Sequence, residues 1–297
     1  MRTQSIGNTI WAVVPLKSPD AAKSRLQAGL DADTRRRLFF WMARQVIRTL
    51  ARTPGIAGVS VVTASPEVGA FAEREGAALI WEEREAGTAE ACRSAVAHLS
   101  TRADGVLMIS GDIPLISVDA VAAVLSCAAR GHPSSGNAHR PVTAACPGQR
   151  PGGDTPPPAA PTTPSPQAAP GNDPGVTPLL EQEGKNLFFS PPFQGGVARS
   201  DGVVIVPDRR RSGTNALLCA PPAIVPPSFG KDSFQRHLAA ARSQGLDVRI
   251  VESDVLALDI DELEDLDELQ HRIEADPTLP SAELREMLPR RAEAPAQ

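Results

Sequence analysis

The chain has 297 residues, a formal net charge of −5 and 41% hydrophobic residues, which suffices for one sizeable α/β core or two small domains. The acidic balance argues against a protein that coats nucleic acid or an anionic membrane surface. The apolar run at 10–16 is too short for a signal sequence or a membrane span. We therefore expect a soluble, cytoplasmic protein with no nucleic-acid or membrane partner.

The cysteines do not form a disulfide or metal-binding pattern. Cys92, Cys127, Cys146 and Cys219 are scattered, with no CxxC pair and no metal-ligand spacing to the histidines. This pattern predicts free thiols in a reducing compartment.

The first 130 residues alternate apolar, β-branched runs with helical periodicity. Asp31 or Asp33 is suited to cap the first helix. The pattern predicts strands at 10–14, 58–63, 77–81 and 105–110, and helices at 31–52, from near 66, at 89–99 and at 118–129.

The same alternation returns after residue 200. It predicts a mostly parallel α/β sheet with helices on both faces, in which ligands bind beyond the carboxyl ends of the strands. Strands are predicted at 202–207, 247–251 and 255–258, with a helix at 232–244 and an acidic helix from 262.

The segment 131–200 interrupts this pattern. It contains 15 of the 29 prolines of the chain, with many small residues, and cannot bury enough apolar surface to offset its ordering entropy. We expect one domain over 1–275, interrupted by a disordered insertion at 131–200, and a loosely ordered tail at 276–297. A partner-binding role for the insertion is the alternative.

A basic loop follows the first predicted strand. Lys17, Lys23 and Arg25 lie within nine residues of one another, and such cations can neutralise a triphosphate. An exposed basic loop without a ligand is equally consistent with the spacing.

Three aspartates lie at or just after predicted strand ends. Asp112 follows the apolar strand 105–110, while Asp259 and Asp261 flank Ile260 after the strand 255–258. Strand periodicity sends the last two carboxylates to one face, where they repel unless a cation lies between them. Oxygen ligands of this kind suit Mg²⁺. The alternatives are a turn or cap role for Asp112 and a helix cap at Asp261.

Two later loops have the composition of anion sites. The loop 208–215 carries three arginines, Gly213 and Thr214, and the loop 228–234 precedes a helix whose first amides can hold phosphate. For Ser233, a simple N-cap role is the alternative. The five histidines have no catalytic spacing and are interpreted as surface or helix residues.

Together these segments resemble the 2-phospholactate, phosphoenolpyruvate or 3-phosphoglycerate guanylyltransferase family of coenzyme F420 biosynthesis. The elements that carry the resemblance occur in the family's order: Val14-Pro15-Leu-Lys17 with 22–26 (AKSRL), 111–115 (GDIPL), 207–209 (PDR) with 213–218 (GTNALL), 229–237 (FG-x-x-SF-x-x-H) and 256–261 (LALDID).

The resemblance implies a glycosyltransferase-A-like, Rossmann-related nucleotidyltransferase that moves GMP from GTP to the phosphate of a small phosphorylated acid and requires Mg²⁺. By position, Asp112, Asp259 and Asp261 correspond to metal ligands, and Asp112 also to the catalytic set. Lys17, Lys23 and Arg25 fall where the nucleotide phosphates lie and complete that set. Thr214, Gly230 and Ser233 correspond to residues that bind the acceptor.

The chain departs from the family pattern at three places, one of which is the insertion 131–200 directly upstream of the PDR element. Gly87-Thr88-Ala89-Glu90 replaces a Gly-Leu-Asn turn, and we assign Gly87 and Glu90 to nucleotide binding because Glu90 can accept hydrogen bonds from guanine. Arg211 and Ser212 replace a Gly-Thr pair.

The alternative functions are a CTP-using enzyme of the same fold with a sugar or pterin phosphate acceptor, or an inactive paralogue that recruits partners. A homodimer is left open.

Overall fold

The computed structural model describes residues 9–20, 23–129, 142–143, 202–276 and 282–288. Contacts divide the chain into two units, of which the second, 145–186, lies wholly outside the described residues. Apart from 142–143, the predicted insertion 131–200 is likewise outside them.

An eight-stranded sheet forms the framework, with the order β3-β2-β1-β4-β7-β6-β8-β5. Neighbouring strands are parallel except at β7, which is antiparallel to both β4 and β6. The fold class predicted from the sequence is therefore confirmed. The strands are β1 (Ile10–Pro15), β2 (Ile56–Thr63), β3 (Ala78–Trp81), β4 (Gly105–Ile109), β5 (Val142–Thr143), β6 (Gly202–Pro207), β7 (Thr214–Ala220) and β8 (Val248–Glu252).

Helices follow most strands, and local sequence explains where several begin. The Asp31 side chain caps α1 by accepting the Thr34 N–H at 2.8 Å, and Ser65 caps α2 ahead of a proline at its first turn. The helices are α1 (Ala32–Arg52), α2 (Pro66–Arg74), α3 (Thr88–Leu99), α4 (Val118–Ala129), α5 (Ser233–Ser243), α6 (Leu263–Ala275) and α7 (Ala282–Met287), with a 3₁₀ helix at Ser24–Ala28.

The sheet is covered on both faces. Apolar side chains of α1, α2 and α4 pack on one face, and those of α3 and α5 pack on the other. Strand β4 is buried over its whole length, which explains why it reads as a continuous apolar run instead of an alternating one. None of the described helices has the length and apolar content needed to span a membrane.

Two predicted features near the C-terminal half were wrong. The segment predicted as a loop to residue 215 ends in β7, which forms an antiparallel hairpin with β6 and also pairs with β4, a strand that is distant in sequence. The predicted strand 255–258 is instead a turn followed by extended backbone outside the sheet. The Ala257 N–H donates to the Ser253 carbonyl at 2.8 Å, and burial of alternate apolar side chains imitated strand periodicity.

The start of β7 contains an irregularity in its pairing with β6. Val206 pairs with Ala216 and Pro207 pairs with Thr214, so Asn215 is an extra residue in the manner of a β-bulge. Such a bulge changes the directions of the side chains beside it. Since β7 runs antiparallel, it begins at the edge where β1, β4 and β6 end.

The short helix α7 lies within the predicted tail 276–297. Leu284, Met287 and Leu288 are buried in a cluster with side chains of α1, α6 and the 3₁₀ helix. The sequence analysis did not predict this helix. The other residues after Asp276 lie outside the described part of the chain.

Candidate active site

A cavity of about 760 Å³ opens at the carboxyl edge of the parallel strands, in the size range of small-molecule sites. It adjoins the ends of β1 and β4, where the strand order reverses and α/β sheets bind ligands. Predicted site residues that line it are Lys17, Lys23, Arg25, Asp112, Thr214, Gly230, Ser233, Asp259 and Asp261.

Lys23 occupies the electrostatic centre of this cavity. Its Nζ forms ion pairs with Asp112 and with Asp261, the latter at 3.0 Å, and its side chain is only 6% exposed. Its backbone is left-handed, with φ 60°, a conformation that is uncommon for a non-glycine residue. The ammonium group therefore joins carboxylates that come from two separate segments of the chain.

The mutual pairing of Lys23 and Asp112 outweighs the cost of burying them. Burial alone lowers the pKa of Lys23, but attraction to Asp112 and Asp261 raises the pKa above its usual value. Burial raises the pKa of Asp112, but Lys23 and the Ser110 hydroxyl, which donates at 2.6 Å, lower it overall. Both groups are charged in the folded protein.

Asp259 adds a third carboxylate to the same cavity. Burial, and then repulsion from Asp112 and Asp261, raise its pKa to about 7. Asn215 donates to Asp259 Oδ1 at 3.2 Å and to the Leu256 carbonyl at 3.0 Å. The negative charge gathered here exceeds what Lys23 neutralises. However, within the described ranges no group of three acidic, histidine or cysteine side chains is arranged so that it could hold a metal ion.

The backbone holds the two acidic segments together. The Ile260 N–H donates to the Asp112 carbonyl at 3.2 Å. A Cβ added at Gly111 would lie 2.3 Å from Leu16 Cδ2, so any larger residue at 111 would displace the buried Leu16 side chain beside the end of β1.

Asp265 is a site residue that the sequence analysis missed. It is 5% exposed, and its Oδ2 accepts the N–H groups of Asp261 and Glu262 at 3.0 and 2.8 Å. Glu262 is the N-cap of α6, so the alternative in which Asp261 caps this helix is wrong. The signal was present as a capping-box spacing between Glu262 and Asp265.

A second part of the cavity wall is built by Thr214 and the loop before α5. Thr214 Oγ1 lies 3.0 Å from Nδ1 of His237, whose Nε2 accepts the Ser228 N–H at 2.8 Å. Ser233 is the first residue of α5, and Asp232 holds the N-cap position, so the N-cap alternative for Ser233 is not what the structure shows.

Comparisons with known proteins agree with this geometry. A family model described as "Guanylyl transferase CofC like" matches residues 10–132 and 192–276. The chain belongs to this family. The predicted resemblance is confirmed, and the protein is a guanylyltransferase of the family that acts in coenzyme F420 biosynthesis.

Relatives that align with most of this chain are named as guanylyltransferases. A phosphoenolpyruvate guanylyltransferase from Conexibacter woesei is 31% identical over 264 residues, covering 89% of this chain and 88% of the relative. Another with this name from Rubrobacter xylanophilus is 32% identical over 265 residues, covering 88% and 94%.

Solved structures with low sequence identity support the fold. A protein described as a nucleotide-diphospho-sugar transferase from Desulfovibrio desulfuricans G20 matches with a TM-score of 0.58 and 13% identity, over 93% of this chain and 94% of that chain. A nucleotidyl transferase from Methanothermobacter matches with a TM-score of 0.50 and 11% identity, over 91% and 100%.

The arginines of the loop 208–213 are occupied by acidic partners in this guanylyltransferase. Arg209 pairs with Asp265 at 2.5 Å, Arg210 with Glu262 and Glu264, and Arg211 with Glu252. The N–H groups of Ser212 and Gly213 donate to the side chain of Asp208. These contacts occupy the loop in this structure, but Arg209, Arg210, Ser212 and Gly213 line the large cavity together with Thr214, so the anion-binding role of the loop stays a prediction.

The residues assigned to guanine recognition do not line the large cavity. The Glu90 carboxylate pairs with Arg93 at 2.6 Å on the surface. Gly87 instead borders a small neighbouring cavity with Lys17 and Glu82. Burial, then repulsion from Glu85 and Glu90, raise the pKa of Glu82. Sequence spacing alone could not distinguish the positions of these glutamates.

The remaining cations differ in their availability. Lys17 is exposed beside the cavity. The Arg25 side chain is 71% exposed and contacts Glu262 at 3.4 Å, so this weak pairing leaves it able to reorient towards an anion.

Cys92, Cys127 and Cys219 are free and buried, which agrees with the predicted thiols, while Cys146 lies outside the described residues.

Proposed function

We propose that this guanylyltransferase transfers GMP from GTP to the phosphate of phosphoenolpyruvate and releases pyrophosphate. The observation that carries the proposal is one cavity whose lining combines carboxylates and Lys23 with Thr214 and Ser233. The names of the relatives favour phosphoenolpyruvate over 2-phospholactate or 3-phosphoglycerate as the acceptor.

We propose Mg²⁺ as the metal, held by Asp112, Asp259 and Asp261. The chemistry of the donor set fits, because it consists of carboxylate oxygens, and burial followed by repulsion from the other two raises the pKa of Asp259. Among the described residues the three side chains do not yet surround one ion position, and Lys23 pairs with Asp112 and Asp261. Mg²⁺ sites need only one or two protein carboxylates when phosphate oxygens and water complete the shell. When bound, the ion neutralises charge on the triphosphate.

The residues of the chain supply alignment and positive charge. Lys17, Lys23 and Arg25 border the cavity and would neutralise the triphosphate as an acceptor oxygen attacks the α-phosphorus in line. The phosphate monoester of the acceptor is already ionised at neutral pH, so no general base is required. Thr214, Gly230 and Ser233 would hold the acid in the same cavity.

A substrate assay tests this function. The full chain is incubated with GTP, Mg²⁺ and each of the three acids separately, and the products are identified by mass. We expect a guanylylated acid and pyrophosphate, with phosphoenolpyruvate used fastest. Clear preference for CTP would support the cytidylyltransferase alternative, and no pyrophosphate release with any acid would support the inactive paralogue.

A matched pair of variants tests the acidic cluster. Asp112→Asn should lower kcat by about 10²-fold or more, since it removes charge from the cation site. Asp119→Asn, which alters an exposed aspartate on α4, should leave turnover unchanged. Near-normal turnover of Asp112→Asn with Mg²⁺ would contradict the assignment.

We also propose a cytoplasmic location. Three buried free thiols agree with a reducing compartment, and GTP is a cytoplasmic substrate.

A further inference from the structure

His237 contacts both segments that form the acceptor wall. It is fully buried in α5, one turn after Ser233. Its Nδ1 lies 3.0 Å from Thr214 Oγ1 at the start of β7, and its Nε2 lies 2.8 Å from the Ser228 nitrogen in the preceding loop. Phe229 packs edge-on against the ring with centroids 5.0 Å apart.

These two hydrogen bonds determine where the ring proton lies. A backbone N–H can only donate, so Nε2 accepts from Ser228 and carries a lone pair. Burial, then the charge of Arg236, lower the pKa of His237 to about 4, so the ring is neutral at pH 7. Its single N–H proton is then on Nδ1, which donates to the Thr214 hydroxyl oxygen.

The orientation of the Thr214 hydroxyl follows from this tautomer. Its oxygen accepts from His237, so the hydroxyl hydrogen must be directed elsewhere. Thr214 is 6% exposed and lines the cavity, and its side chain has no other hydrogen bond within the described residues. The hydroxyl is therefore available as a donor to an oxygen of a bound anion.

We infer that His237 is a positioning residue that fixes the Thr214 hydroxyl as a hydrogen-bond donor to the carboxylate or phosphate of the acceptor acid. The same ring joins the loop 228–230 to the start of β7, so it preorganises both parts of the acceptor wall. The inference rests on the proposed function, because it requires an anionic acceptor at this wall.

Steady-state kinetics with His237 and Thr214 variants test the inference. His237→Leu removes both hydrogen bonds and should raise KM for phosphoenolpyruvate about tenfold or more, as expected for a lost hydrogen bond to a charged group. KM for GTP should change less than twofold. His237→Asn keeps an amide donor near the Nδ1 position and should restore part of the acceptor KM. The control His98→Asn changes an exposed helix histidine and should have no effect.

A double-mutant cycle separates positioning from a general structural role. Thr214→Val should raise KM for the acceptor about as much as His237→Leu, and combining them should add little further loss. Multiplicative effects of the two changes would overturn the inference. So would equal rises in KM for GTP and acceptor together with a lowered Tm, because these would indicate general loss of structure.

A spectroscopic measurement gives a result even if phosphoenolpyruvate is not the substrate. In ¹⁵N-labelled full-length protein without ligands, the His237 ring signals can be assigned by their loss in His237→Asn. We expect the Nδ1–H tautomer and a shift of the Nδ1 signal in Thr214→Val. The Nε2–H tautomer would overturn the inference, whereas absence of turnover with any acid would count against only the proposed function.

Discussion

Asp259 is a residue whose charge opposes folding in the absence of a cation. Burial and the neighbouring carboxylates raise its pKa to about 7, so at higher pH the folded protein holds an unfavourable charge that the unfolded chain exposes to water. Such a position fits the proposed cation site. Stability and activity therefore make opposite demands on this side chain.

The substitution Asp259→Asn tests that opposition. Because the folded pKa lies above the ordinary value of 3.8, the penalty grows as pH rises towards 7. The variant should raise the free energy of unfolding by about 2 kcal/mol at pH 8 in EDTA, and by less at pH 5. Urea unfolding at both pH values measures this. The same variant should lose most turnover, and a destabilised variant at pH 8 would contradict the argument.

The buried ring of His237 makes the opposite contribution to pH dependence. Its folded pKa of about 4 lies below the ordinary value of 6.5, so its contribution to stability is complete above pH 6.5 and is lost as pH falls to about 4. The stability difference between the parent and His237→Asn should therefore shrink by about 3 kcal/mol from pH 7 to pH 4. Urea unfolding measures the difference. His98→Asn should show no such change, and an unaltered difference for His237→Asn would contradict the shifted pKa.

At the scale of the element, the start of α6 positions the acidic segment. Asp265 accepts N–H groups from Asp261 and Glu262 and pairs with Arg209. Replacing Asp265 leaves the backbone N–H groups of Asp261 and Glu262 without their acceptor and Arg209 without its carboxylate partner.

The substitution Asp265→Ala should therefore cost about 2–3 kcal/mol of stability, the size of a lost cap with a charge-assisted bond. It should also lower turnover, since Asp261 loses its backbone anchor. Thermal unfolding and kcat measure the two effects. Asp267→Ala, at an exposed position of the same helix, is the matched control. Equal behaviour of the two variants would contradict a special role for Asp265.

Elements with local signals were predictable from the sequence, and non-local ones were not. The helix α1 and its Asp31 cap, the buried run of β4 and the strand β6 follow from periodicity and capping chemistry. Strand β7 was missed although it forms a hairpin with the neighbouring β6, because its other partner, β4, is distant in sequence.

The candidate site shows the same division. Lys23, Asp112 and Asp261 stand out as charged residues after strand ends, and the structure brings them together. His237 ends the motif 229–237, but the sequence assigned it no role, because only the packing of α5 brings its ring to Thr214. The acidic partners of the arginines at 209–211 could not be foreseen, because they lie more than 40 residues further along the chain.

At the scale of the whole molecule, burial of the thiols reports on the integrity of both sheet faces. Cys127 packs with α4 on one face, while Cys92 and Cys219 pack on the other. Burial raises the pKa of Cys219 to about 12 and also raises that of Cys92, so these thiols are protected both sterically and electrostatically.

A thiol-labelling experiment measures this protection. In the variant Cys146→Ser, which leaves the three described cysteines, native protein should react with a thiol reagent at least about 10²-fold more slowly than protein in urea, since reaction requires opening of the core. All three should label after unfolding. Rapid labelling of native protein at Cys92 or Cys219 would contradict the packing of α3 and α5.

The extra residue at Asn215 has a consequence for how this fold tolerates change. Deleting it would complete the ladder between β6 and β7, and would also alter the directions of the side chains on either side of the gap. The ladder would then be regular, but different side chains would face the substrates. We therefore expect the number of residues at this point to be conserved more strictly than the identity of the neighbouring arginines. A shift by one position would move Thr214 away from the acidic residues of the cavity.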